Sequence, residues 1–306
     1  MAAVCLAILA ATAAGVGVER RWGTRAHAAT GRLLDVLLYV VLPPMTFFII
    51  ARLQLTAGVG AGLLFAYVAQ LSAGGLAWLI GRRVLALSRA STGALVLASM
   101  LCNTGYLGVP LTATLLGSDQ LGPALAYDIS VSTPLMYVAG YAVAAALGDN
   151  AGDSARARAR SYLLRNPVLP VLPLALLAPD ALAPDAAVDV ARAAAVALLP
   201  VGFFVLGVNL MGEREDGVLD FPPRMTPALA TALGLRLLVA PAIVLALSTV
   251  VLAVPHAYLL QAAMPTAINI LVAGHAYGLD LRLMAGAIAW STTIVVTAAL
   301  VATLVL

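Results

Sequence analysis

Apolar stretches recur from one end of the chain to the other, each close to the roughly 20 residues that a helix needs to cross a bilayer. Each is closed off by a short cluster of arginine, proline, glycine or small polar residues. These clusters divide the chain into ten spans, at 2–18, 33–51, 57–80, 91–117, 122–147, 166–182, 186–211, 225–252, 257–278 and 283–306. The sixth is the least regular, because Pro167, Pro170, Pro173 and Pro179 crowd it. No stretch is long and polar enough for a soluble domain. The pattern therefore predicts an all-α integral membrane protein whose function resides in its membrane-embedded part.

Composition agrees: mean hydropathy is +1.02 and only 10% of the 306 residues are charged, where a soluble domain carries about a quarter. The net charge of +3 comes from arginine, since lysine is absent. Counted over alternate connections, fourteen arginines fall on one side, from Arg20 to Arg282, and two, Arg52 and Arg192, on the other. By the positive-inside rule the richer side is cytoplasmic. A multi-pass protein of the plasma (inner) membrane with both termini on the non-cytoplasmic side is expected. Because Arg20, Arg21 and Arg25 follow the first apolar stretch, that stretch reads as an uncleaved helix, not a signal peptide. Cys5 and Cys102 have no CxxC or histidine partner, so neither a disulfide nor a metal site is expected.

An internal repeat is visible. "VLPPMTFFII" from Val41 and "LLPVGFFVLG" from Leu198 place Pro44 and Pro200 156 positions apart. Pro110 and Pro265 are 155 apart, and the pairs Ser132-Thr133 and Ser291-Thr292 are 159 apart. Three matches in one order at nearly one offset point to duplication of a five-span unit, with repeats at 1–150 and 151–306. Five is odd, so the second copy enters the membrane from the opposite face, an inverted repeat of the kind that recurs in secondary transporters.

The fourth and ninth spans carry helix-breaking residues. "NTGYLGVP" from Asn103 combines Asn103, Thr104, Gly105, Gly108 and Pro110, which together predict local unwinding. "MPTAINI" from Met264 brings Pro265, Thr266 and Asn269. Broken backbone at membrane depth persists only where protein or a water-filled cavity satisfies it, and paired breaks point to a substrate site at the midplane. There, half-helix N-termini offer N–H groups to an anion, and the amides of Asn103 and Asn269 add donors and acceptors. The bland alternative is that both asparagines serve structural kinks. Read this way the two copies correspond at their prolines and not at their amides, because Asn103 precedes Pro110 whereas Asn269 follows Pro265.

Other polar residues in the spans leave alternatives open. Asp128, early in the fifth span, is either a cavity carboxylate that titrates or binds a coupling cation, or an interfacial residue without function. Arg236 is either the counter-charge of an anionic substrate or the partner of a carboxylate or a helix C-terminus. Gln261, about a turn before Pro265, and Thr46, Ser132, Thr133, Ser291 and Thr292 are further candidates for the cavity wall, although such residues often bond their own helix. His27, His256 and His275 lack metal-ligand spacing.

With "NTGYLGVPL" from Asn103, "LPPMTFF" from Leu42, "RLLVAP" from Arg236 and "MPTAIN" from Met264, the chain resembles the auxin efflux carrier family. This family comprises the plant PIN and bacterial malonate-type carriers of the bile/arsenite/riboflavin transporter superfamily. The resemblance implies ten helices in a five-plus-five inverted repeat, with spans 4 and 9 crossing at their prolines. It also implies a transport unit (57–147 and 225–306) that moves against a scaffold (1–56 and 166–212) in a homodimer, by an elevator motion. The substrates implied are small organic anions, auxin-like or malonate-like. The long central loop of the plant proteins is missing, since Gly148 to Arg165 alone joins the halves.

The expectation is thus a secondary active transporter of a mono- or dicarboxylate, with Asn103, Thr104, Gly105, Gln261, Thr266 and Asn269 binding substrate. No cofactor or metal is expected beyond proton or sodium coupling, and the partners are the substrate, the bilayer and a second copy, with no nucleic acid. An enzyme is disfavoured because HExxH, GxSxG and paired Asp-rich motifs are absent, and an ATP-driven pump because no GxxxxGK[ST] loop occurs. A ligand sensor on a carrier fold is the alternative, though no signalling domain is fused to the chain.

Overall fold

The computed structural model describes residues 2–54, 56–149, 167, 170–215 and 222–305. Among them the secondary structure is helical throughout, apart from one isolated antiparallel bridge. The helices are α1 (Ala2–Trp22), α2 (Thr24–Ala51), α3 (Ala57–Val84), α4 (Arg89–Met100), α5 (104–115), α6 (Ser118–Leu147), α7 (Val171–Leu176), α8 (Asp185–Glu215), α9 (Pro227–Val250), α10 (His256–Ala262), α11 (Ile270–Tyr277) and α12 (Leu281–Val305). Six of them, α2, α3, α6, α8, α9 and α12, are long and apolar enough to span a membrane.

Four helix starts follow short polar side chains that accept an otherwise orphaned N–H. Thr56 caps α3 by accepting from Val59, Ser88 caps α4 from Ser91, and Thr226 caps α9 from Leu229. Asp280 accepts from Leu283 at the start of α12. Gly278, in the left-handed region at φ 69°, ends α11.

Three spans differ from the sequence expectation in length. The arginine-bearing stretch between spans 1 and 2 is helical: α1 runs on to Trp22, and after a break at Gly23 α2 begins at Thr24, nine residues before position 33. Charge density marks this stretch as lying outside the apolar zone but does not stop the backbone from coiling. Among the described residues of the sixth span, α-helix covers the six residues of α7, and a single 3-10 turn follows at Asp180–Leu182, as its prolines allow. Part of that span, and the junction bearing Arg156, Arg158, Arg160 and Arg165, lie outside the described residues.

Packing falls into two groups. Helices α1, α2, α7 and α8 pack on one another, as do α3 to α6 with α9 to α12. The groups meet mainly where α8 lies against α5 and where α2 lies against α6. Loop contacts also sort by face. On one, the Arg52 guanidinium donates to Ala183 O at 2.8 Å and to Asp185 Oδ1 at 2.9 Å, and Arg192 lies 3.8 Å from Asp119. On the other, Arg89 donates to Ala146 O at 2.7 Å and Ser91 Oγ to Asp280 Oδ2 at 2.8 Å. Each set joins loops that alternating spans place on one side.

Candidate functional site: a crossing of two broken helices

The fourth and ninth spans are each interrupted, and the interruptions touch. Residues 101–103 separate α4 from α5, and residues 263–269 separate α10 from α11. Cys102 and Thr266 form the antiparallel bridge. The N–H of Asn103 donates to Pro265 O at 2.8 Å, and the N–H of Ala267 donates to Leu101 O at 3.0 Å. Each break thereby satisfies two backbone groups of the other, which is what non-helical backbone inside an apolar protein requires.

This places the break differently from the sequence expectation. In the first copy the unwound residues precede Thr104, and Gly108 and Pro110 lie inside a helix. The first turns of α5 are widened, with the Gly108 N–H donating to Asn103 O five residues back at 3.1 Å. Pro110 lies near the start of the regular helical stretch that follows. The widened turn absorbs the hydrogen bond a proline cannot make. In the second copy Pro265 lies within the break itself. The two spans therefore cross at Cys102 and Thr266, beside Pro265 and away from Pro110. Asn103 and Asn269 each occupy the N-cap position of the second half-helix, and neither side chain caps it.

Both asparagines line a cavity of about 150 Å³ with Thr104 and Gly105. Asp128, Ser132, Thr133 and Tyr137 of α6 and Thr46 of α2 complete its polar wall, and Leu198 of α8 closes it on the apolar side. The cavity thus lies between the two packing groups. The Thr104 hydroxyl donates to Asp128 Oδ1. Gly105 leaves room for that carboxylate, since a Cβ there would come within 3.3 Å of its oxygen.

Three candidates sit beside the cavity without lining it. The Thr266 hydroxyl donates to Ala98 O at 2.9 Å, and its N–H donates to Ser291 Oγ at 3.0 Å. Gln261 donates to Ala124 O at 3.3 Å, and its Oε1 packs against Gly108, where any Cβ would collide with it. Arg236 is fully buried, and its guanidinium donates to Ser99 O, Met100 O and Ala262 O. These carbonyls end α4 and α10, where a cation complements the negative end of each helix dipole. Of the two roles open to Arg236 in the sequence, the structure selects the helix C-terminus. Ser291 and Thr292 also stand off the cavity. Tyr106 and Tyr137 line it, although the sequence reading did not single them out; Tyr106 sat within the quoted motif, between two residues that it did name. Among the described residues no cluster of His, Cys, Asp or Glu suited to a metal occurs, and Cys102 is a free buried thiol.

Residues 167–303 match the family described as membrane transport protein. The second half of the chain is thus similar to a family of membrane transport proteins. It is 29% identical over 100 residues to an uncharacterized transporter of Methanocaldococcus jannaschii, a stretch covering 32% of this chain and 32% of that protein. The chain thus matches about a third of that relative's length. The matched residues take in α10, α11, the second break and Arg236. The first break, which supplies the other half of the crossing, lies outside the matched residues.

Proposed function

We propose that the protein is a secondary active transporter of a small organic anion, a mono- or dicarboxylate, working by alternating access. The observation that carries this reading is the crossing: two interrupted helices present two uncapped asparagines, each at a half-helix N-terminus, to one cavity. A carboxylate there meets outward-pointing backbone N–H groups and a positive dipole end, together with side-chain amides as donors. Inverted five-span repeats fit the antiparallel sense of the bridge. An elevator motion of α3–α6 with α9–α12 against α1, α2, α7 and α8 fits the position of the cavity on the boundary of these groups. A homodimer in the inner membrane, with termini on the non-cytoplasmic side, completes the reading and rests on the arginine bias and the family resemblance.

Reconstitution into proteoliposomes tests it. Uptake of labelled malonate and indole-3-acetate under imposed proton and sodium gradients is expected for at least one of the two acids. Absence of flux for both, from either face, sinks the reading.

A further inference from the structure

We propose that Asp128 is a proton-binding site loaded together with the substrate, so that the cavity takes its anion only when Asp128 is protonated and one proton crosses with each anion. The inference rests on the organic-anion reading of the cavity and adds the coupling ion and its residue.

It starts from an asymmetry between two otherwise matched half-sites. Cys102 lies 3.6 Å from Ser132 Oγ, and its bridge partner Thr266 donates its N–H to Ser291 Oγ. Ser132 and Ser291 are thus equivalent in position as well as in sequence. Four residues before them stand Asp128 and Ala287. The residues following the two N-cap asparagines are Thr104 and Ile270. One half-helix N-terminus therefore has a hydroxyl and a carboxylate beside it, bonded to each other. The other has an isoleucine and an alanine in the matching places. The end at Asn269 is left for a ligand's charge, while the end at Asn103 has a carboxylate of its own.

Among the described residues that line the cavity, no cation offsets that carboxylate. Facing it are Thr104 and Tyr106 from α5, Tyr137 from its own helix, Cys102 from the break, and Thr46 from α2. None of these is positively charged. On α3, the Tyr67 hydroxyl donates to Ser130 O at 2.6 Å. The buried guanidinium of Arg236 is engaged by the three carbonyls that end α4 and α10.

A second negative charge in the same small cavity is strongly disfavoured. At a separation of about 5 Å and an effective dielectric constant of about 20, the repulsion weakens binding by roughly two orders of magnitude. A proton on Asp128 removes the repulsion and converts an acceptor into an O–H donor. Anion and proton then each favour the binding of the other by the same factor. The balance is simple: on the side where the cavity is open, the carboxylate takes a proton from water and the anion enters; on the other side the anion leaves and the O–H bond returns its proton to water.

Calorimetric titration of malonate and indole-3-acetate into the purified full chain, in buffers of different ionisation enthalpy, reads the protons taken up per anion. About one is expected, with affinity falling as pH rises by up to tenfold per unit. Asp128→Asn, which mimics the protonated acid, is expected to bind with little dependence on pH, to take up no proton, and to lose accumulation driven by a pH gradient. A wild-type count near zero overturns the proposal, and so does an Asp128→Asn variant that keeps the pH dependence, or uptake driven by sodium and not by pH. The proton count needs no variant, so a misfolded substitution leaves the test intact. Failure of both acids to bind at any pH is a separate result, and it overturns the organic-anion reading beneath.

Discussion

Asn103 and Pro265 are joined backbone to backbone, the N–H of one donating to the carbonyl of the other at 2.8 Å across the crossing of the two broken spans. The structural duty of Asn103 thus falls on its main chain, and its side chain is available to the cavity. Asn103→Ala is expected to leave the thermal midpoint within a few degrees of wild type. Loss of a hydrogen bond to a charged ligand should weaken carboxylate binding roughly 10- to 100-fold. Asn103→Pro, which removes the N–H, is expected to unfold the crossing. Thermal unfolding and ligand titration of the same preparations check both; an alanine variant that binds normally would remove the amide from the site.

Asn269 allows a test by sign. If a ligand carboxylate is bound at the start of α11, Asn269→Asp places a like charge against it and should cost more affinity than Asn269→Ala. Titration of both variants at one pH decides the order. The reverse order would point to a cationic ligand.

Arg236→Met is a prediction about stability. Three buried carbonyls lose their donor, and each unsatisfied group costs about 1–3 kcal/mol, so destabilisation of roughly 3 kcal/mol or more is expected. Arg236→Lys retains the charge but not the planar fork, and should fall between. Affinity for carboxylates measured on the folded fraction should stay near wild type. A large affinity loss with an unchanged melting point would put the guanidinium at the substrate.

Gly108 and Gln261 form a contact that admits no Cβ. Gly108→Ala should destabilise by about 1–3 kcal/mol through overpacking. Shortening the neighbour in Gly108→Ala/Gln261→Ala should restore part of that loss, beyond the sum of the single changes. Denaturation of the four proteins in the cycle measures the coupling, and strict additivity would contradict the contact.

Topology is open to direct labelling. Ser88 and Ser118, both exposed, stand at opposite ends of the fourth span. Ser88→Cys is expected to react with a membrane-impermeant thiol reagent from the cytoplasmic side, and Ser118→Cys from the other. Labelling of both from one side would refute the orientation drawn from the arginine bias.

Much of this arrangement could be read in the sequence, because each part has a side-chain signature. Long apolar runs between arginine clusters marked the six helices long enough to cross a membrane, and the motifs around Asn103 and Met264 located both interruptions. What was not legible depended on backbone partners. The break at 101–103 is held by the main chain of 265–267, and Leu101 and Cys102 bear no mark of it. Comparing the two motifs at Pro110 and Pro265 therefore hid the like position of the two asparagines, each at the start of a half-helix. The acceptors of Arg236 are carbonyls, which every residue possesses, so a cation in an apolar span looked equally suited to a substrate. The helical stretch from Thr24 was missed for a related reason: charge indicates exposure and says little about coiling.

The guanidinium of Arg236 has a consequence for how such a molecule can evolve. It belongs to the second half of the chain, yet Ser99 and Met100, two of its three acceptors, belong to the first. One repeat offset earlier, positions 77–81 offer no charged residue. A gene split into separate halves would yield one product whose helix end has lost its donor and another whose donor has lost most of its acceptors. Two identical copies of either half would bring two arginines to the crossing, or none. The loops of the halves are free to vary, but with this one side chain in place neither half is complete without the backbone of the other.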